Sequence, residues 1–157
     1  MSRDAIGAEG SLTGSCQCGA VRLRAGPPLT VYCCHCTECR RQSASAHGIS
    51  VLVARDGLDV TGETASWTRD AGTPTEVTGH FCPRCGVRLF HAREGSTRAT
   101  IKGGVLDGIA TLTPVGHIWT RSALPWVQAR LDGLLYEGQP SDYDALIAAW
   151  QDMRRQE

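Results

Sequence analysis

The chain has no excess charge of either sign: sixteen Lys and Arg meet sixteen Asp and Glu across 157 residues. With no global field to draw it toward nucleic acid or an anionic membrane, any charge preference must be local. Long hydrophobic runs are also missing. The opening stretch MSRDAIGAEGSLTGS lacks the continuous apolar core of a signal peptide, and no later segment approaches the length of a membrane span. A soluble cytoplasmic protein, with no membrane and no nucleic-acid partner, is the expectation. Internal repeats and low-complexity segments are absent, and the length suits one domain.

Turn residues and short β-forming runs are plentiful. Eighteen glycines and seven prolines punctuate the sequence. Val21 and Leu23 alternate with Arg22 and Arg24, and residues 49–54, 87–91, 99–102, 109–113 and 116–120 are rich in strand formers. This pattern predicts a mainly β domain of short antiparallel strands whose loops carry the chemistry. The C-terminus departs from it. Ser141-Asp142-Tyr143-Asp144 reads as a helix start, and Ala145, Leu146, Ala149, Trp150 and Met153 recur at helical spacing, which predicts one helix over residues 142–155. Residues 1–13 carry no periodicity and read as a loose tail before a single domain over 14–157. Residues 70–74 read as a turn. The four tryptophans, Trp119 and Trp126 among them, read as core.

Chemistry concentrates in cysteine. Seven of the eight cysteines fall into three groups, Cys16-x-Cys18, Cys34-x-Cys36-x-x-Cys39 and Cys82-x-x-Cys85. In a reducing compartment such clusters point to metal ligands rather than disulfides. Gly19 follows Cys18 and Gly86 follows Cys85, and glycine there permits a sharp turn with positive φ that presents backbone N–H groups to the thiolates. The outer arms thus read as two knuckles closing one four-cysteine zinc site from Cys16, Cys18, Cys82 and Cys85, structural in purpose. The middle arm is built differently, since Cys39 runs straight into Arg40 and Arg41. Cys34, Cys36 and Cys39 can cap one face of a second zinc and leave the other face open for chemistry. Three thiolates make that ion a weak Lewis acid matched to sulfur ligands.

Other readings stand beside this one. His47, His80, His91 or His117 would close the second site as a fourth ligand and make it structural too. His35 is an acid or base of the middle arm, or simply a packed histidine. Arg40 and Arg41 are anion contacts or a solvated face. Cys33, next to Cys34 but on the opposite face of an extended segment, reads as a small buried apolar residue.

Three longer motifs carry a resemblance. They are Gly14-Ser15-Cys16-Gln17-Cys18-Gly19-Ala20-Val21, Cys34-His35-Cys36-Thr37-Glu38-Cys39-Arg40 and Phe81-Cys82-Pro83-Arg84-Cys85-Gly86, followed by Gly104-Val105-Leu106-Asp107, His117-Ile118 and Pro125-Trp126. Over residues 14–140 the chain resembles the glutathione-dependent formaldehyde-activating enzyme (GFA) family, which includes centromere protein V. The resemblance implies a β-tent zinc-binding fold, shared with a Rab-binding exchange chaperone, and a structural zinc on the outer arms. It also implies a catalytic zinc on Cys34, Cys36 and Cys39. The activity it implies is that of a carbon–sulfur lyase on aldehyde–thiol adducts, S-hydroxymethylglutathione or a related adduct, with glutathione as the partner thiol. His35 would move the proton and Arg40 or Arg41 would meet a glutathione carboxylate. The alternative is a non-catalytic, zinc-stabilised module that binds a protein partner. Nucleic-acid association of the centromere-protein type lacks the basic extension it would use.

Overall fold

A computed structural model describes residues 10–70 and 76–156. The expected turn over residues 70–74 falls almost wholly outside them, as do residues 1–9 of the expected tail. In chain order the elements are β1 (Leu12–Ser15), β2 (Arg22–Ala25), β3 (Thr30–Cys34), α1 (Thr37–Ser43), β4 (Gly48–Ala54), β5 (Asp59–Thr61), β6 (Ala65–Arg69) and β7 (Val77–Phe81). They continue as β8 (Arg88–Arg93), β9 (Arg98–Lys102), β10 (Gly116–Ile118), α2 (Pro125–Gln128), β11 (Leu134–Tyr136) and α3 (Asp144–Arg155). The molecule is mainly β with a C-terminal helix. Among the described residues no helix is long and apolar enough to cross a membrane.

The chain folds into two compact units, Met1–Pro28 with Leu52–Thr111 and Leu29–Val51 with Leu112–Glu157. In the first, β1, β2 and β5 form a small antiparallel sheet, and β6 to β9 form an antiparallel meander. The alternation read from the sequence holds in β2, where Arg22 and Arg24 face out and Leu23 and Ala25 are buried. Leu12 is buried and pairs with Ala25, so ordered β structure begins two residues before Gly14.

The second unit is ordered β11–β10–β3–β4. All five residues of β3 are buried. β10 runs parallel to both β3 and β11, an exception to the expected antiparallel pairing. Parallel neighbours need a long return of chain, and β10 arrives at β3 only after the whole intervening unit. Against β3 lies α3, whose Leu146 and Trp150 are buried one helical turn apart. Thr30 Oγ1 donates to the Leu146 carbonyl at 2.8 Å, and the Tyr32 and Tyr143 rings meet at 5.4 Å. Burying two such side chains supplies about 1.5–3 kcal/mol each. The helix begins at Asp144 rather than Asp142, because the Asp142 carboxylate stays outside and accepts the Asp144 N–H at 3.0 Å.

Three expectations are corrected. Residues 109–113 do not form a strand: Ile109–Thr111 is a single 3₁₀ turn, closed by the Thr111 N–H and hydroxyl on the Gly108 carbonyl at 3.0 and 2.9 Å. The strand over 116–120 stops at Ile118, because Trp119 takes a left-handed conformation, φ 59°, that starts another 3₁₀ turn. Two tryptophans are not core. Trp150 is buried, but Trp67 on β6 is 53% exposed and Trp126 on α2 is 64% exposed. Helices α1 and α2 are additions to the expected terminal helix.

Candidate metal centres

The outer arms meet within the first unit. Each is a tight turn with the same backbone scheme: the Cys16 N–H donates to the Val21 carbonyl at 2.9 Å, and the Cys82 N–H donates to the Val87 carbonyl at 3.0 Å. Gly19 and Gly86 sit at φ 74° and 73°, as the knuckle reading requires, and return their N–H groups to the carbonyls of Cys16 and Cys82. The turns aim amides at sulfur. Val21 N–H reaches Cys16 Sγ at 3.2 Å, Ala20 serves Cys18 and Val87 serves Cys85.

All four sulfurs lie within 4.8 Å of one another, with Cys16–Cys18 at 3.6 Å and Cys18–Cys82 at 3.8 Å. Four sulfurs placed about 2.3 Å from a zinc ion stand about 3.8 Å apart along each tetrahedral edge. The spacing fits a metal and is far too long for disulfides, and all eight cysteines are free thiols. Electrostatics agree. Burial works against ionising Cys16, yet the Val21 amide and hydrogen bonds from the other three thiols bring it down to about 6. Cys18 goes the other way, to about 11: the Ala20 amide resists, but burial and the Cys16, Cys85 and Cys82 sulfurs push it up. Like charges cannot all form in one cage alone, and a dication is the group that would let them.

The middle arm is assembled in the second unit by a strand running into a helix. Cys34 closes β3, Cys36 caps α1 by accepting the Cys39 N–H at 3.3 Å, and Cys39 sits in the first helical turn. This bend brings the three sulfurs within 4.8 Å of one another, and no histidine or carboxylate among the described residues joins the group. Hydrogen bonds from Cys34 and Cys39 lower Cys36 to about 2, against burial and with help from the Cys39 and Glu38 amides. Cys34 is pushed far up by the same sharing, first by its hydrogen bonds to Cys36 and Cys39 and then by burial. Three converging sulfurs fit a soft cation. Cys33 is 4% exposed and raised to about 11 by burial and then by the Asp132 carboxylate, a neutral buried thiol as expected.

The histidines fall into two sets. His80 and His91 lie on β7 and β8 of the first unit, where His80 stacks on Phe90 with centroids 4.4 Å apart. His35, His47 and His117 gather in the second unit beside the middle arm. His35 is fully buried, and its backbone N–H donates to the Ile118 carbonyl at 3.0 Å. Its Nε2 lies 2.9 Å from His117 Nδ1, and the other nitrogen of His117 faces the Asp132 carboxylate at 3.6 Å. The His47 ring lies 5.1 Å from that of His35. Burial first, then the neighbouring His47 and His117, lowers His35 to about 4, so it is neutral near neutral pH. Sequence reasoning named His117 as an alternative metal ligand and within the His117-Ile118 pair of the resemblance, without linking it to His35. Its link to His35 depends on the parallel register of β10 with β3, which no local motif signals.

Arg40 and Arg41 line an open cleft of about 680 Å³ along α1, together with Thr37, Ala44, Leu124 and Trp126. Arg41 is exposed and pairs with Glu38 at 3.1 Å, while Arg40 is half-buried. A cationic wall thus faces an exposed indole, a combination that suits an anionic ligand with an apolar portion.

A crystal structure of a Rhodobacter sphaeroides protein shares the fold: the superposition has a TM-score of 0.51 at 19% identity, covering 79% of this chain and 98% of the other. The family model of the glutathione-dependent formaldehyde-activating enzyme matches residues 11–122, a stretch that holds all three cysteine arms and the three histidines of the second unit. The chain belongs to that family.

Proposed function

We propose that this chain is a zinc-dependent carbon–sulfur lyase that splits, or in reverse forms, adducts of a small aldehyde with glutathione, S-hydroxymethylglutathione being the simplest. The observation that carries the reading is the middle arm, three converging sulfurs that no fourth protein donor joins among the described residues, in a chain of this family. Cys16, Cys18, Cys82 and Cys85 would hold a structural zinc, and Cys34, Cys36 and Cys39 a second one. When bound, that second ion supplies the Lewis acidity that polarises the adduct's carbon–sulfur bond.

The residues around it do the rest. Arg40 or Arg41 receives a glutathione carboxylate, and Trp126 of the same cleft packs against the apolar part of the chain. His35, neutral and out of water, accepts the proton of the adduct hydroxyl. The O–H electron pair becomes the carbonyl bond of the aldehyde, and the carbon–sulfur bond breaks with its pair on sulfur. The thiolate leaves and takes that proton from His35, which restores the neutral imidazole. We place the protein in the cytoplasm, where thiols stay reduced.

The test is a pair of substitutions followed by zinc content, melting temperature and aldehyde release. Cys36→Ser is expected to lower zinc from two ions per chain to one and abolish turnover with the fold kept. Cys82→Ser, in a fully buried position, is expected to unfold the first unit. Full activity in Cys36→Ser would end the lyase reading. The exposed Trp126 beside Leu124 also suits the alternative of a protein-binding module. X-ray absorption with saturating glutathione separates the two, since only the lyase brings a new sulfur to the metal.

A further inference from the structure

An unpartnered ring nitrogen is buried beside the middle arm. His35 is 0% exposed, and its Nδ1 has no hydrogen-bond partner among the described residues; the Nδ1 of the adjacent His47 is likewise buried and unpartnered among them. Buried polar atoms are normally satisfied, so two such nitrogens on rings 5.1 Å apart mark a place for a small polar group. Which role His35 Nδ1 takes there follows from its other nitrogen.

Between neutral imidazoles, the bond from His35 Nε2 to His117 Nδ1 contains one proton, and either ring can own it. If His117 donated it, the opposite nitrogen of His117 would turn a lone pair toward the Asp132 carboxylate, two acceptors facing each other at 3.6 Å. If His117 instead carries its proton on Nε2, the carboxylate attracts that N–H, and His117 Nδ1 is left to accept. His35 must then donate from Nε2, which leaves Nδ1 without a proton. The choice propagates along three residues without moving any of them.

We propose that Asp132 and His117 are positioning residues that fix the tautomer of His35, so that its buried Nδ1 presents a lone pair to the hydroxyl of the bound adduct. This role of the hydroxyl rests on the lyase reading; the tautomer does not. His47 Nδ1 supplies the second polar contact to the same group. Asp132 is 95% exposed, so its side chain can be exchanged with little cost in packing; its carboxylate also acts on the buried Cys33 thiol.

The experiment labels the five histidines with the heavy nitrogen isotope and reads one- and two-bond proton–nitrogen correlations at about pH 8, above the ordinary imidazole range. His35 and His117 are both expected to carry their proton on Nε2. Reversing the charge with Asp132→Lys should lower the ratio of Nε2–H to Nδ1–H on His35 by about tenfold, and Asp132→Glu should restore it. In turnover assays with S-hydroxymethylglutathione, Asp132→Lys should lower kcat and leave KM nearly unchanged. A proton on His35 Nδ1 in the parent chain, or a ratio indifferent to Asp132→Lys, overturns the inference. An inactive parent with His35 protonated on Nε2 upholds the tautomer assignment and ends the lyase reading, so the two failures are distinct.

Discussion

His35 Nε2 and His117 Nδ1 stand 2.9 Å apart, joining the end of β3 to the parallel strand β10. The bond satisfies a nitrogen that is wholly cut off from water, so its loss is costly even though the pair contributes modestly when intact. His117→Phe keeps the ring volume and removes the partner. It is expected to destabilise the chain by about 1–3 kcal/mol, the penalty of a buried unsatisfied group. Thermal denaturation would register this as a fall of several degrees in Tm. An unchanged Tm would mean that the two rings do not share a proton.

Acid should loosen the second unit through His35 and its neighbour His47. Burial holds His35 at about 4, below its ordinary 6.5, and His47 moves in the same direction for the same reason. Between those values the unfolded chain binds a proton that the folded chain refuses. The contribution of His35 is therefore fully present above about pH 6.5 and is lost as pH falls toward 4. Urea midpoints measured through this window should fall steadily in the parent and less steeply in His35→Phe. Parallel slopes for the two proteins would refute the assignment.

Gly19 offers a clean probe of the first cysteine turn. It sits at φ 74°, and a Cβ built there meets nothing within 4 Å. Any penalty of substitution is thus conformational. Gly19→Ala should cost about 1–2 kcal/mol, and Gly19→Asn distinctly less, because Asn tolerates the left-handed region. Chemical denaturation of the zinc-loaded protein gives the ranking, and equal losses for the two variants would show that crowding, not φ, governs the turn.

In the cleft, Arg40 is the better candidate for a substrate carboxylate because Arg41 is already engaged with Glu38. Arg40→Ala is expected to raise KM for a glutathione adduct by about tenfold or more, the worth of a charge-assisted hydrogen bond. Its kcat should change little, since the contact lies on the unreactive part of the substrate. A larger effect from Arg41→Ala than from Arg40→Ala would reverse this ranking.

Much of the molecule was legible because it rests on local chemistry. The glycines after Cys18 and Cys85 declare the knuckle turns, and both adopt the positive φ that the spacing demanded. The alternation through Leu23 and the helical recurrence of Leu146 and Trp150 likewise map directly onto buried faces. Helix α1 was hidden because its cap is a cysteine sulfur, not one of the oxygen side chains that usually signal a helix start. Trp126 was misread as core because composition says that an indole prefers burial, not whether a fold supplies the surface to bury it.

By itself the sequence determined the cysteine arms and their turns, since residue type, spacing and a following glycine act over a few residues of backbone. Only the tertiary structure decided what surrounds the middle arm. His117 and Asp132 lie far along the chain from His35, and they reach it through a parallel strand register and a return loop whose pairing depends on which distant surfaces bury each other. Local rules can name such residues, but only long-range packing brings them within a proton's reach of one another.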